Sequence, residues 1–278
     1  IYSKKLSKKI FVYEKIKKNI LIIKKLKLPC VLVDDLQKVI PKIDLIIFCT
    51  PMSQYEKIIL KINKSLKKEM IITDVGSTKE ASLKMIKKKL KKEISWTSSH
   101  PISGSEVSGP KFGNKNLFLN KWCILIKNKE TNIRHLKILN NFWKKIGSKV
   151  IIMNEKKHDD IFSITSHLPH LIAYNLIKTA MEFEKSKGYD LIKFSAGGLR
   201  DFSRIAASNE TMWRDIFFSN QKNVIKAIEL FTKNLNSFKE NIKSKNNKQL
   251  IEKLIKTKKV RKKIISLKQD VDKPDFGR

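Results

Sequence analysis

Short apolar runs recur along the first half of the chain, and lysine-rich stretches with helical periodicity lie between several of them. The runs that we predict to be strands are residues 9–13, 30–33, 44–49, 70–73, 94–97 and 122–126. The stretches that we predict to be helices are 15–26, 55–68 and 80–92. Strands that alternate with helices of this length are typical of βαβ units and a parallel sheet.

From about residue 154 the pattern becomes helical and stays so to residue 268. Only the Gly197-Gly198 pair and a polar stretch at 241–247 interrupt it. We therefore expect an α/β fold with a doubly wound, Rossmann-type domain over residues 1–153 and an all-α domain over 154–278. The apolar helices exceed what one layer packed on the sheet edge would cover, so we expect the second domain to form a symmetric homodimer.

The apolar runs are too short to span a membrane. The run at 45–49 has five residues, whereas a transmembrane helix needs roughly 18. The start of the chain has no signal-peptide pattern, and the three cysteines lie at long spacings that form no disulfide framework. We expect a cytoplasmic protein that does not associate with membranes.

The net charge of +34 favours a nucleic-acid partner at first sight, because basic surfaces bind phosphates. Only six of the 60 basic residues are arginine, however, and the lysines are scattered through every segment. Proteins that recognise nucleic acids usually rely on arginine for bidentate contacts. We expect no nucleic-acid binding, although a basic regulatory pseudoenzyme stays open as an alternative.

The position of Glu14 predicts a dinucleotide site. In a domain of this type a glycine loop follows the first strand, and an acidic residue about 20 positions later binds the ribose after the second strand. Glu14 directly follows the run IFVY, so the expected glycine loop falls before residue 1. We expect that strand and loop to lie outside this chain, which leaves the domain incomplete at its N-terminus. The alternative is a surface glutamate in a sheet that binds no cofactor.

Thr50 and Pro51 are the second candidate contact with a dinucleotide. They follow the predicted strand 44–49, at the sheet edge where such a cofactor crosses. A Thr-Pro turn is common in many proteins, so the prediction depends on this context.

Four sequence blocks carry a family resemblance. They are TDVGSTK (73–79), SHPISGSEVSGP (99–110), SHLPHLIAY (166–174) and GGLRDFSRIAASNETMWRDI (197–216). In this order they resemble the signature blocks of the prephenate/arogenate (cyclohexadienyl) dehydrogenases of tyrosine biosynthesis. The closing QDVDKPDFGR resembles the tail of bacterial cyclohexadienyl dehydrogenases, whereas the family's glycine fingerprint is not in the chain.

The resemblance implies a reaction, a cofactor and an assembly. The reaction is the NAD-dependent oxidative decarboxylation of prephenate to 4-hydroxyphenylpyruvate, with arogenate or dual specificity as the alternative. The assembly is a homodimer whose second domain helps to build the active site. A reductase of a β-hydroxyacid or an imine shares the architecture and stays open, but such enzymes usually place a Lys or Asp on a long helix between the domains.

The reaction needs a hydride acceptor, a base or hydrogen-bond acceptor at the C4 hydroxyl, and cations that hold carboxylates. His100 follows the predicted strand 94–97 at the sheet edge, and a histidine pKa near 6.5 suits proton transfer. By resemblance His100 is the catalytic histidine and Ser77 is its hydrogen-bond partner. The alternatives are that His100 fixes a loop beside Pro101 and that Ser77 caps the following helix.

By resemblance, Ser105 and Glu106 line the substrate site, His170 faces the substrate, and Asp201 supports the orientation of His170. A lone glutamate in such a turn is otherwise usually a solvated loop residue. His167 is equally well explained as a core histidine.

Arg200 and Arg204 are four residues apart on a predicted helix and share one face with Asp201. Arginine suits bidentate recognition of a carboxylate, so both are candidate substrate ligands. The lysine-free stretch around Arg204 indicates burial. The alternative is a surface Asp–Arg pair.

A metal site is a further possibility, because His167 and His170 are three residues apart and His158 and Asp159 could add ligands. Pro169 interrupts the histidine pair, no HExxH motif is present, and hydride transfer to a nicotinamide needs no metal. We expect no metal.

Overall fold

The computed structural model describes residues 1–104 and 106–267, and an α/β half is followed by a helical half. The strands are β1 (Phe11–Tyr13), β2 (Val31–Val33), β3 (Leu45–Phe48), β4 (Ile71–Asp74), β5 (Ser99–Pro101), β6 (Trp122–Ile126) and β7 (Lys149–Met153). The helices of this half are α1 (Lys17–Lys25), α2 (Leu36–Val39), α3 (Tyr55–Ile62), α4 (Glu80–Lys89) and α5 (Ile133–Ile146).

The strand pairs β1–β2, β3–β4 and β6–β7 are parallel, which confirms the predicted Rossmann-type architecture. Among the described residues, ladders join β1 only to β2 and β3 only to β4. A single parallel bridge from Ile72 to Trp96 continues the sheet beyond β4. Strand β5 then pairs antiparallel with β6. The chain therefore bonds to β4 at Trp96 and to β6 from Ser99 onward.

The predicted strand at 94–97 is wrong, because only Trp96 makes a bridge and the ladder begins at Ser99. Strand β7 and helix α5 were not predicted. Helix α5 carries clear local signals. Asn132 accepts hydrogen bonds from the N–H groups of its first turn, and Gly147 ends it with a left-handed φ of 111°. These are ordinary capping devices.

Two apolar clusters cover the faces of the sheet. The first joins α3 to β3 and β4 and includes Tyr55, Ile59 and Ile72, all fully buried. The second packs α5 on β6 through Leu139 and Trp143. Each helix presents its apolar positions to the sheet at helical spacing, which is why the lysine-rich faces can point to solvent.

The second half is helical, as predicted. Its elements are α6 (Glu155–Phe162), a π-helical turn (Ser163–His167), α7 (Leu168–Lys187), α8 (Gly197–Ala206), α9 (Glu210–Ser219), α10 (Gln221–Lys243) and α11 (Asn247–Ser266). The break between α10 and α11 falls in the predicted stretch 241–247. The earlier break lies before Gly197, because Gly188 ends α7 in a left-handed conformation and Gly197 already belongs to α8.

Helices α6 and α7 form one continuous rod with the π-helical turn in the middle. Pro169 lies in the first turn of α7 and has no N–H to donate to the preceding turn. A widened turn accommodates this loss. Such turns occur frequently at functional sites.

Helix α9 attaches the helical half to the sheet edge. The N–H of Ser53, just after β3, donates to Asp215 Oδ2 over 3.2 Å. Thr78 and Ser219 share a hydroxyl–hydroxyl bond of 2.7 Å. These contacts bring α9 against the loops that follow β3 and β4. In the described part of the chain, no helix is both long and apolar enough to cross a membrane.

Candidate active site

His100 is buried at the centre of β5, opposite Ile124 of β6. The expectation that it follows a strand needs correction, since it lies within one. Its Nδ1 lies 2.8 Å from Nε2 of His158 on α6, and the ring of Phe162 packs against it at 5.0 Å. Since His158 occupies Nδ1, Nε2 is the ring nitrogen of His100 that is left for a ligand.

The next link in this chain is Asp159. Nδ1 of His158 lies 2.8 Å from Asp159 Oδ1, and both side chains are fully buried. The two carboxylate oxygens of Asp159 also accept the backbone N–H groups of Lys79 and Glu80, each at 2.8 Å. Asp159 therefore caps α4, a helix whose N-cap residue makes no side-chain cap of its own.

Asn220, at the end of α9, extends the network. Its side-chain amide donates to the carbonyl of Asp159 over 2.7 Å and lies 3.1 Å from Nδ1 of His167. Nε2 of His167 is buried without a partner among the described residues, and so is Nε1 of Trp213. The two rings lie edge to face at 6.3 Å. These are buried polar atoms that a ligand or a water could satisfy.

His170 is held by its own helix and by Trp213, not by Asp201 as expected. Its Nδ1 donates to the carbonyl of Ser166 over 2.9 Å, and its ring stacks on Trp213 with centroids 3.7 Å apart. The side chain of Asp201 is exposed, with no such contact to His170 in the described structure. Because Nδ1 is the donor, Nε2 of His170 is left as an acceptor.

A buried ion pair lies behind His100. Nζ of Lys79 is 2.7 Å from Asp74 Oδ2 and donates to the carbonyl of Ser99 over 2.7 Å. Asp74, at the end of β4, also accepts from Trp96 Nε1 at 3.0 Å and from the hydroxyl of Ser98. Both charged groups thus have hydrogen-bond partners beyond each other, as a buried ion pair requires. It fixes the chain immediately before His100.

Gly76 lets the loop after β4 close over this pair. Its N–H donates to Asp74 Oδ2 over 3.0 Å. A Cβ here would lie 2.9 Å from the hydroxyl of Tyr55 and 3.0 Å from Asp74 Oδ2. The close approach, and not a positive φ, requires glycine at this position.

Burial lowers the pKa of each histidine in the cluster. The pKa of His100 lies well below 6.5, because burial disfavours the charged form and His158 and Lys79 add like charge. Burial also lowers the pKa of His158, against the opposing hydrogen bond to Asp159. The pKa of His167 falls to about 4, again chiefly through burial. All three rings are therefore neutral near neutral pH.

Ser77 takes neither of the positions considered for it. It is partly buried in the loop between β4 and α4, and the described residues include no hydrogen bond from Ser77 to His100. His158 occupies the place beside His100, and Asp159 performs the capping. Both residues come from α6, about 80 residues further along the chain than Ser77. A local sequence pattern cannot reveal a contact over that separation.

The arginine block is exposed, which corrects the expectation of burial. No residue of α8 is buried, and the Arg204 side chain is 49 % exposed. Arg204 Nη1 lies 3.6 Å from Glu106 Oε2, so Glu106 and not Asp201 is its carboxylate neighbour. Arg200 is also exposed. The lysine-free stretch of α8 is therefore an exposed surface, not a buried one.

Two expectations fall on residues that the structure does not describe. Ser105 and the closing segment 268–278 lie outside the described residues.

The candidate cofactor residues lie at the ends of parallel strands. Glu14 directly follows β1, and its carboxylate accepts the N–H groups of Lys15 and Ile16 and the amide of Asn19, at 2.7 to 3.0 Å. Thr50 follows β3, and its hydroxyl is buried without a partner among the described residues. Pro51 is exposed and is the N-cap residue of a 3₁₀ turn over Met52–Gln54.

The histidines do not form a metal site in the described part of the chain, where no group of three or more candidate ligands converges. His158 and Asp159, considered as possible ligands, bond instead to His100 and to the backbone of α4. The expectation that the protein uses no metal stays a prediction.

Sequence reasoning missed the hydrogen-bonding roles of His158, Asp159, Asn220 and the Asp74–Lys79 pair. One signal was present, since Asp74 and Lys79 both lie inside the block TDVGSTK. An acid and a lysine at the end of a buried strand must find partners. His158 and Asp159 carried no comparable local signal.

Family models match both halves of the chain. The model for the nucleotide-binding domain of prephenate dehydrogenase matches residues 3–152, and the model for the dimerization domain of prephenate dehydrogenase matches residues 154–256. Together they cover most of the chain.

Individual relatives agree with these models. A cyclohexadienyl dehydrogenase from Zymomonas mobilis is 32 % identical over 86 % of this chain and 80 % of its own length. A prephenate dehydrogenase from Bacillus subtilis is 33 % identical over 65 % of this chain and 48 % of its own length.

Solved structures include a prephenate dehydrogenase from Aquifex aeolicus in complex with hydroxyphenyl propionate and NAD+. It superposes with a TM-score of 0.87 at 32 % identity, covering 95 % of this chain and 91 % of that one. Synechocystis arogenate dehydrogenase has the same fold, with a TM-score of 0.75 at 22 % identity over 92 % of this chain and 91 % of its own.

The histidine cluster predicts a loss of stability in mild acid. The pKa of His167 is about 4 in the fold and about 6.5 in an unfolded chain, so the unfolded state binds more protons between these values. We expect the free energy of unfolding to fall as the pH drops from about 6.5 towards 4, by up to about 1.4 kcal/mol per pH unit for each such group. Urea denaturation across this range measures the slope.

His167→Gln should reduce that slope, because it removes one buried group that resists protonation. His135→Gln is the comparison for a histidine outside the cluster. Burial and Arg134 also lower the pKa of His135, so this variant should lose the contribution of His135 and keep that of the cluster. A free energy of unfolding that is constant between about pH 7 and pH 5 would contradict the prediction.

Proposed function

The chain belongs to the prephenate dehydrogenase family, and on that premise we propose that it catalyses the NAD-dependent oxidative decarboxylation of prephenate to 4-hydroxyphenylpyruvate. The observation that carries this proposal is the buried, neutral His100, whose Nδ1 is engaged and whose Nε2 is left for a ligand. Arogenate is the second candidate substrate, because one relative is named a cyclohexadienyl dehydrogenase.

The chemistry assigns a task to each group. In prephenate, hydride leaves C4 of the ring, and the electron pair of the C1–carboxylate bond enters the ring as CO2 departs. The ring becomes aromatic, which supplies the driving force. The protein must orient the substrate and support the C4 hydroxyl while the hydride leaves.

His100 supports that hydroxyl. With Nε2 unprotonated, it accepts a hydrogen bond from the C4 hydroxyl and takes its proton as C4 loses hydride. The proton returns to the phenol oxygen when the ring becomes aromatic. The neutral state favoured by burial is the state this role requires.

NAD, when bound, supplies the nicotinamide that accepts the hydride. The residues present fit such a cofactor. The buried hydroxyl of Thr50, which has no partner in the described structure, lies at the end of β3, beside Pro51. Glu14 accepts three hydrogen bonds, whereas a carboxylate has about four acceptor positions, so one is left for a ribose hydroxyl.

Arg204 and Arg200 are the proposed ligands for substrate carboxylates. Both arginines are exposed, and within the described part of the chain the one carboxylate paired with Arg204 is that of Glu106, at 3.6 Å, longer than a close ion pair. A substrate carboxylate can therefore bind Arg204 without breaking a short bond. His170, Asp201, Ser105 and Ser77 are proposed to line the same site, on the strength of their positions in the family blocks.

We further propose that the protein works in the cytoplasm as a homodimer. Large apolar side chains of the helical half are exposed, including Phe194 at 80 % and Phe218 at 72 %. Tyr189 and Phe194 line an open apolar groove before α8. The match of residues 154–256 to a dimerization domain supports a second copy of this chain as what covers these residues.

Two substitutions test the site. His100→Asn should lower kcat by about two to four orders of magnitude, the range for losing a general base, with a smaller effect on substrate binding. Arg204→Gln should chiefly raise KM, because a bound carboxylate interacts in the ground state and the transition state alike. Both effects should appear with prephenate and arogenate. Near-normal kcat in the first variant, or unchanged KM in the second, would show that the assignment is wrong.

The charge of Glu14 predicts a preference for NAD over NADP. A 2′-phosphate would meet a like charge there, whereas a 2′-hydroxyl can donate to it. Steady-state kinetics should give a higher kcat/KM with NAD, and Glu14→Gln should narrow the gap. Equal kcat/KM for the two cofactors in the unsubstituted protein would refute the assignment. Lys15 and Lys17 act in the opposite sense, so their Ala variants should widen the gap.

The dimer is tested by mass in solution. Light scattering at micromolar concentration should give twice the mass of the chain, and Phe194→Asp should shift it towards the monomer by placing a charge in the apolar face. Phe112→Asp is the matched control, because Phe112 is an exposed phenylalanine of the first half. A fully active monomer would overturn the proposal.

A further inference from the structure

His158 contacts His100, and Asp159 contacts His158, but neither residue has a role in the proposed reaction so far. His158 is fully buried and packs against the rings of both His100 and Phe162, with centroids at 5.0 and 4.6 Å. A ring enclosed in this way cannot rotate freely, so its two nitrogens keep their partners. The remaining question is which nitrogens carry protons.

The proton positions follow from Asp159. Both of its oxygens accept backbone N–H groups, from Lys79 and Glu80, and a backbone N–H can only donate. A carboxylate that accepts on both oxygens also accepts from His158, so Nδ1 of His158 carries the proton over the 2.8 Å contact. In a neutral imidazole the other nitrogen is then an acceptor. Nε2 of His158 therefore has no proton.

The same reasoning fixes His100. Nδ1 of His100 lies 2.8 Å from the acceptor Nε2 of His158, so Nδ1 of His100 must be the donor. Burial keeps His100 neutral, and a neutral ring has one proton. Nε2 of His100 is consequently unprotonated, the state that a hydroxyl group can donate to.

We propose that His158 is a positioning residue that, oriented by Asp159, holds His100 in the tautomer with a free Nε2 lone pair. This inference rests on the proposed function in assigning the lone pair to the substrate hydroxyl. Both halves of the chain then contribute to the base, since His100 lies on β5 and His158 lies on α6. The opposite tautomer would present an N–H to that hydroxyl and could not accept from it.

The first test observes the protons directly. The chain has five histidines, few enough for the imidazole nitrogens of 15N-histidine-labelled protein to be assigned by substituting each in turn. We expect two-bond 1H–15N spectra to show His100 and His158 each protonated at Nδ1 and unprotonated at Nε2. A spectrum with His100 protonated at Nε2 would overturn the proposal. This readout needs no turnover, so it stands even if the proposed substrate is wrong.

The second test separates positioning from packing. His158→Phe keeps a ring but has no acceptor, and it should lower kcat by about ten- to a hundredfold while KM for prephenate changes less than about twofold. His158→Gln keeps an acceptor oxygen and should recover most of kcat. His135→Gln, the control for loss of a histidine elsewhere, should leave both constants near their original values.

The outcomes are distinguishable. Equal losses of kcat in the Phe and Gln variants would mean that His158 only packs, and would overturn the proposal. If the Phe variant does not fold, the spectrum of the unsubstituted protein and the Gln variant still decide it. Absence of prephenate and arogenate oxidation by the unsubstituted protein would instead count against the proposed function, and the spectrum would still report on the tautomer.

Discussion

The carboxylate of Asp159 over the first turn of α4 is the contact on which the rest of the site depends. Without it, two N–H groups at a buried helix end would have no partner, and such a cap contributes about 0.5–2 kcal/mol. The same carboxylate orients His158, and its backbone carbonyl binds Asn220 from α9. One side chain thus joins the helical half to the sheet and sets the geometry at His100.

Lys79 connects this contact to the sheet. Its N–H binds Asp159, and its ammonium binds Asp74 and the carbonyl of Ser99, one residue before His100. Buried ion pairs seldom add much net stability, because desolvation offsets the attraction. What this pair does is to fix position, since removing either partner would leave a charge without compensation next to the catalytic candidate. Its positive charge also helps to keep His100 neutral.

The alternation of strands and helices was enough to predict the α/β half, and the four blocks were enough to predict the family. The partners within the site were not predictable. His100 and His158 are 58 positions apart, and Asp159 lies 80 positions from the backbone group it caps, so no local period connects them. Ser77 is nearer to His100 along the sequence, but the side chain that bonds to His100 in the fold is His158. The burial predicted for α8 failed for a related reason, because composition along one helix cannot show whether another surface covers it.

The π-helical turn between α6 and α7 sets the rotational phase of everything that follows it. His158 and His167 are nine residues apart, so an unbroken α-helix at about 100° per residue would place them on opposite sides, yet both are buried in one cluster. The extra residue of the wide turn rotates α7 back by about 100° and brings the two onto adjoining sides. Deleting one residue from this turn would swing His170 away from Trp213 on α9 and out of phase with His100, although no site residue had changed. The length of the rod is as much a part of the site as the side chains it carries.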